Sequence, residues 1–281
     1  MKLIECPRDA MQGLHNFVPT ELKAAYINLL LRVGFNTIDV GSFVSPKAIP
    51  QMRDTAEVLS RLDLSQTISK LLAIVANVRG AEQACSFQEI NYLGFPLSVS
   101  ETFQLRNTNK TIAQSLIEVA QIVELCQQAD KQLVVYLSMG FGNPYNDAYS
   151  PQVVVDFTGK LVEMGIEIVA PSDTIGSSTP TSIKALFSTL IPAFPMVEFG
   201  AHLHSTPQTV HEKVEAVYQA GMRRIDGALR GFGGCPMAKD DLTGNLPTEQ
   251  IISQLEGYNI DLQVNKDALR EALLFSQKIF S

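Results

Sequence analysis

Two histidines, His202 and His204, stand two residues apart in the stretch VEFGAHLHSTP, residues 197–207. Alternate residues of a strand share one face, roughly 6.6 Å apart along it. Both imidazoles therefore point the same way, into a core or out of it. Neutral imidazoles are good ligands for divalent cations. Two on one buried face each need a partner, and one shared cation serves both; the competing reading is two core histidines satisfied by neighbours. A further ligand has to be a carboxylate. Asp9, in CPRD at the end of the first apolar run, is the candidate, with helix capping as its alternative. Asn245, in LTGNLPTE, offers an amide oxygen, although alone it reads as a loop or capping residue.

Other residues near these could do chemistry. Arg8 keeps its charge at any working pH, and its planar fork suits an oxygen that gains negative charge during a reaction. An ion pair with Asp9 is the plainer reading. Asp39 and Asp173 fall at the ends of two further apolar runs. Cys235 sits in GFGGCP, a glycine-rich loop that leaves a thiol accessible for proton transfer. Cys6, Cys85 and Cys126 lie in strand and helix patterns and read as small buried hydrophobes. No Lys-Ser or Lys-Thr follows the glycines, as a phosphate-binding P-loop requires. Lys47 in SPK and Lys239 in AKD are candidates for holding an anionic group, or else solvated surface lysines.

These residues need a frame. Apolar runs recur near residues 2–6, 37–40, 71–75, 90–94, 133–137, 166–171, 197–203 and 224–229. Several, such as LLAIV and LVVYL, are apolar on both faces, as parallel strands covered by helices are. Helical patterns fill the gaps. Ser150-Pro151 opens one, striped by Val154, Phe157, Leu161 and Met164 and stopped by Gly165. Thr20 opens another, striped by Leu22, Ala25, Leu29 and Val33, with Gly34 at its end. Thr-Pro pairs at Thr179 and Thr206 open two more. The alternation predicts a single (β/α)8 TIM barrel, one catalytic domain over residues 1–281. An open doubly wound sheet would show Gly-x-Gly-x-x-Gly after the first strand, and it is absent. In such a barrel the site forms at the C-terminal ends of the strands, where the residues above fall.

Composition narrows the function classes. With 46% hydrophobic and 18% charged residues, the 281-residue chain can build a large core. A net charge of −7 argues against broad nucleic-acid binding. No run reaches the roughly 18 apolar residues of a membrane helix. The N-terminus enters a strand with no signal or transit pattern, and the four cysteines show no C-x-x-C spacing. A reduced, cytoplasmic protein is expected.

The motifs CPRDAMQ, GSFVSPKAIPQM, SDTIG, HLH and GFGGCPMA with TGNLPTE run in order along nearly the whole chain. Together they resemble the 3-hydroxy-3-methylglutaryl-CoA lyases. These belong to a wider group of metal-dependent carbon–carbon lyases and Claisen-type synthases on TIM barrels. The SFVSPK and GGCP segments resemble the lyase branch; the barrel and His-x-His are shared more widely.

The resemblance implies Mg2+ or Mn2+ held by Asp9, His202, His204 and Asn245. It implies retro-Claisen cleavage of 3-hydroxy-3-methylglutaryl-CoA, or a close 3-hydroxyacyl-CoA, to acetyl-CoA and acetoacetate. Arg8 would steady the enolate oxygen, Cys235 would move the proton, and Asp39 and Asp173 would arrange the reacting groups. Gln12, Lys47 and Lys239 would contact the acyl-CoA, and the protein would be a homo-oligomer, dimer or larger. The chain departs from the family pattern at several points. It has Ala10-Met11-Gln12-Gly13-Leu14 for Gly-Leu-Gln-Asn-Glu, Asp39 for Glu, Ser205 for Asp or Asn, and Pro171-Ser172 for Leu-Gly. These bear on which acyl-CoA is cleaved, since no metal ligand is lost.

Three other readings stay open at this level. One is a related aldolase or synthase. Another is a metal-dependent hydrolase or Fe(II) oxygenase, although barrel hydrolases carry His-x-His on the first strand. The last is a barrel that binds acyl-CoA without cleaving it.

Overall fold

A computed structural model describes residues 1–234 and 243–280 of the chain. Eight parallel strands form its centre: β1 (Lys2–Glu5), β2 (Thr37–Ser42), β3 (Lys70–Ile74), β4 (Ile90–Ser98), β5 (Gln132–Ser138), β6 (Ile168–Asp173), β7 (Glu198–Ser205) and β8 (Arg224–Gly227). They pair in the order β6-β5-β4-β3-β2-β1-β8-β7, and β6 also pairs with β7, which closes the ring. Helices on the outside complete the expected (β/α)8 TIM barrel. A short ninth strand, β9 (Gly244–Asn245), runs antiparallel to β7 and sets Asn245 opposite His204. Asn245 is thus fixed on a strand rather than carried by a loop.

Alternation divides the side chains. Outward residues such as Ile38, Val40, Leu71, Leu93, Phe95, Val135 and Leu137 join the main core with helix residues such as Ile27, Leu30, Val119, Leu161 and Leu186. Each such burial contributes about 1.5–3 kcal/mol. Inside the barrel a smaller cluster, Leu72, Ile74, Val134, Tyr136, Ile168 and Ala170, fills one side. The facing side is polar: Arg224 pairs with Glu198 at 3.3 Å, and Glu198 also pairs with Lys2. Gly200 makes room there, since a Cβ would lie 3.1 Å from Arg224 Cδ and 3.3 Å from Ala170 Cβ, closer than ordinary van der Waals contact.

Local expectations shifted in places. The helix Thr20–Val33 buries Lys23, Ala24, Tyr26, Ile27, Leu30, Leu31 and Val33, while Ala25 is exposed. The expected stripe through Leu22, Ala25 and Leu29 is rotated. This helix is apolar around much of its circumference, so its partners choose the buried face. Lys23 is drawn inward by Asp54 at 2.7 Å and lies over the Phe17 ring. After β7 the helix begins at Val210, not at the Thr-Pro pair. Thr206 and Thr209 instead close a turn through Thr209 N–H to Thr206 O at 2.9 Å. Strand β6 ends at Asp173 and β8 at Gly227, and Leu229–Gly231 forms a 3-10 turn in which Arg230 has φ 65°. Among the described residues no helix is long and apolar enough to cross a membrane.

Candidate active site

The inner face of β7 carries both imidazoles to the mouth of the barrel, their ring centroids 5.6 Å apart. His202 Nδ1 lies 3.1 Å from Asp226 Oδ2, and His204 Nδ1 lies 3.0 Å from the Thr174 carbonyl oxygen. These contacts engage one nitrogen of each ring. Asp9, His202 and His204 each present a ligand atom within 4.8 Å of the others. His204 Nε2 is buried and has no hydrogen-bond partner. A partnerless buried imidazole nitrogen beside a carboxylate and a second imidazole fits a divalent cation. The donor set therefore suits the metal that the sequence implies.

Asp9 reaches this point from a short helix, Pro7–Gln12, rather than from the end of β1. Pro7 lacks an N–H and favours the first helical position, so the chain turns helical directly after Cys6. The helix sets Arg8 and Asp9 within one turn of Gln12. Arg8 Nη1 donates to Asp9 Oδ1 and to Gln12 Oε1, each at 2.9 Å, and Gln12 Nε2 donates to Asp9 Oδ1 at 3.0 Å. Asn245 Nδ2 donates to Asp9 Oδ2 at 2.7 Å and to the Phe232 carbonyl at 2.8 Å. Burial pushes the Asp9 carboxyl up, but Arg8, His202, His204 and Asn245 outweigh it and hold the pKa at about 2. Asp9 is thus a carboxylate at any working pH.

Asp39, on the inner face of β2, accepts from Arg8 Nε at 2.9 Å and Nη2 at 2.5 Å. Burial pushes its pKa up to about 6 against the pull of Arg8. Asp173, at the end of β6, accepts through Oδ2 from Ser178 N at 3.0 Å, Ser178 Oγ at 2.5 Å and Lys213 Nζ at 2.9 Å. Its Oδ1 is buried without a partner. Lys213 also donates to the His204 carbonyl at 2.7 Å, tying the two strand ends together.

The remaining candidates divide. Gln12 joins the cluster through Asp9 and Arg8. Lys47 is exposed on the segment after β2 and makes no ion pair among the described residues. Cys235 and Lys239 lie outside the described residues. The segment leading to Cys235 nevertheless passes over the site. Gly233 has φ +89°, and a Cβ there would lie 2.7 Å from Asn245 Nδ2 and 2.8 Å from the Asp9 carbonyl.

Sequence reasoning passed over Lys213, Arg224 and Asp226. A signal existed in RIDG: two charges at i and i+2 of a strand, the same pattern as the two histidines. Lys213 gave none, because a lysine in an amphipathic helix reads as a solvated one.

The HMGL-like family model matches residues 3–275 of the chain. The chain belongs to the HMGL-like family. Its relatives agree. It is 34% identical over 266 residues to the hydroxymethylglutaryl-CoA lyase of Bacillus subtilis, covering 95% of this chain and 88% of that protein. Among solved structures, the HMG-CoA lyase of Brucella melitensis superposes with a TM-score of 0.92 at 30% identity, covering 99% of this chain and 98% of that one. An HMG-CoA lyase of Acinetobacter baumannii in complex with coenzyme A and 3-methylmalate gives 0.90 at 32% identity, covering 99% and 90%. Membership of the HMGL-like family does not favour the hydrolase, oxygenase and non-catalytic readings. It accords with the barrel and with the cluster of potential ligands at its mouth.

Proposed function

We propose that this HMGL-like protein is a divalent-metal-dependent lyase that cleaves 3-hydroxy-3-methylglutaryl-CoA, or a close 3-hydroxyacyl-CoA, to acetyl-CoA and acetoacetate. The observation that carries the reading is the convergence of Asp9, His202 and His204 within 4.8 Å, with His204 Nε2 buried and unpartnered. Those three residues would hold Mg2+ or Mn2+. Asn245 would join them through Oδ1, because its Nδ2 is committed to Asp9 and Phe232. A bound cation of this kind lowers the pKa of a hydroxyl it contacts and draws charge from neighbouring oxygens.

The chain's own groups supply the rest. The Arg8 guanidinium is held on one edge by Asp39 and on the other by Asp9 and Gln12. Fixed in this way, it meets developing enolate charge without having to reorganise. Asp173 is anchored by Ser178 and Lys213 through one oxygen, and the other is free to orient the substrate hydroxyl. The hydroxyl proton leaves to a base as the carbon–carbon bond breaks. The bond's electrons form the enolate of acetyl-CoA, and Cys235 returns a proton to its carbon. Lys47 and Lys239 would attract the anionic CoA tail. One barrel forms the catalytic domain over residues 1–281. A cytoplasmic setting is supported by free thiols at Cys6, Cys85 and Cys126. Self-association into a dimer or larger assembly completes the reading.

The test is acetyl-CoA release from 3-hydroxy-3-methylglutaryl-CoA and a panel of shorter and longer 3-hydroxyacyl-CoAs. Release should stop with EDTA and return with Mg2+ or Mn2+. Release that EDTA leaves intact, or none from any member of the panel with metal present, defeats the proposal.

A further inference from the structure

Beneath the two imidazoles lies a line of charges, buried at Asp226 and Arg224, for which the reaction above has no use. Asp226, on the inner face of β8, is 2% exposed. Its Oδ2 faces His202 Nδ1 at 3.1 Å, and its Oδ1 lies 3.7 Å from Arg224 Nε. Arg224, 1% exposed, continues to Glu198, and Glu198 to Lys2 at the opposite end of the barrel. The signs alternate along this line, from Lys2 up to the candidate metal centre.

A carboxylate this deep costs several kcal/mol in desolvation unless it is compensated. An aliphatic side chain would pack on the inner face of β8 without that cost. The carboxylate therefore has work that only a charged acceptor does, and the ring it touches is His202. Tyr136 adds a steric constraint: its ring stands edge-on to His202, centroids 5.4 Å apart at 77°. His204 has no such carboxylate, only the neutral carbonyl of Thr174.

We propose that Asp226 is a positioning residue for His202, and that Arg224 in turn holds Asp226. By accepting the Nδ1 proton, Asp226 fixes the tautomer that leaves Nε2 free for a cation and makes that nitrogen a better donor. The two imidazoles are then unequal ligands, with His202 the stronger. Lys2 offsets Glu198 and Arg224 offsets Asp226, so the line as a whole is neutral. This inference rests on the divalent-metal reading of the site.

The experiment measures Mn2+ binding to the full-length, EDTA-stripped protein by electron paramagnetic resonance titration, with thermal unfolding in parallel. Asp226→Asn keeps the shape and removes the charge. It should weaken Mn2+ binding about 10- to 100-fold, and Asp226→Glu should recover part of the loss. A measurement on the unsubstituted protein does not depend on either variant folding. With 15N-labelled histidine and Mg2+ present, nitrogen–proton correlations should show His202 carrying its proton on Nδ1. Unchanged Mn2+ affinity in Asp226→Asn, or a His202 proton on Nε2, overturns the inference and leaves the metal reading intact. If the unsubstituted protein binds no Mn2+, the metal reading falls and the inference falls with it.

Discussion

Arg8 grips Asp39 through two nitrogens that share one oxygen, Nε at 2.9 Å and Nη2 at 2.5 Å from Oδ2. The other oxygen of Asp39 is buried without a partner. The carboxylate is committed to the guanidinium and acts on the reaction through it.

Asp39→Asn keeps the volume and loses the charge that aligns the fork. A misplacement of about 1 Å in a catalytic group costs on the order of 10²-fold in rate. We expect kcat to fall by about that factor, with KM nearly unchanged, in steady-state assays of acetyl-CoA release. Asp39→Glu adds a methylene to contacts that are already at hydrogen-bond distance, so it should also slow turnover. A faster Asp39→Glu enzyme would show that the shorter carboxylate handicaps the native site.

Lys213 and Asp173 form a buried pair at 2.9 Å, with side chains 1% and 0% exposed. Removing one member of such a pair leaves an uncompensated charge and typically costs about 3–5 kcal/mol. Lys213→Met should lower the urea midpoint accordingly. The double substitution Lys213→Met with Asp173→Asn should recover much of that loss. A single variant as stable as the native protein would show that the pair carries no such penalty.

Gly233 sits in a left-handed conformation, φ +89°, against the Asp9 carbonyl and the Asn245 amide. A methyl group has no room there, and non-glycine residues avoid this region. Gly233→Ala should therefore displace Asn245 and the segment that leads to Cys235. Mn2+ affinity and kcat should drop together, roughly 10-fold or more by the misplacement scale above. Global stability should change far less. Loss of kcat with unchanged Mn2+ affinity would mean that the segment moves without disturbing Asn245.

Glu5, fully buried at the end of β1, accepts Leu229 N–H at 2.9 Å and the Thr248 hydroxyl at 2.6 Å. Burial pushes its pKa up from 4.5 to about 8, against the pull of those two donors. The folded protein therefore keeps a proton that the unfolded chain releases above pH 4.5. Stability from this group is whole below that pH and is lost as pH rises through about 8. The slope is up to about 1.4 kcal/mol per pH unit. Glu5→Gln removes the titration. Its thermal midpoint should gain on the native protein between pH 5 and pH 9; a constant difference across that range would refute the assignment.

The alternating apolar runs, set apart by turn residues and helical stripes, determined the barrel, because the period of hydrophobicity reports which faces are covered. They also determined that His202 and His204 share a face, since a strand admits only two sides. The chemical types along the chain set the donor candidates. What lay beyond reach was every relation between distant segments. Pro7 turned Asp9 onto a helix, β9 placed Asn245 against His204, and Asp54 and Phe17 rotated the Thr20–Val33 helix. Lys213 and Asp226 became part of the site only when strand ends far apart in sequence were brought together. Periodicity is a local property, whereas the partner of a buried charge is chosen by closure of the ring, and that closure exists only in three dimensions.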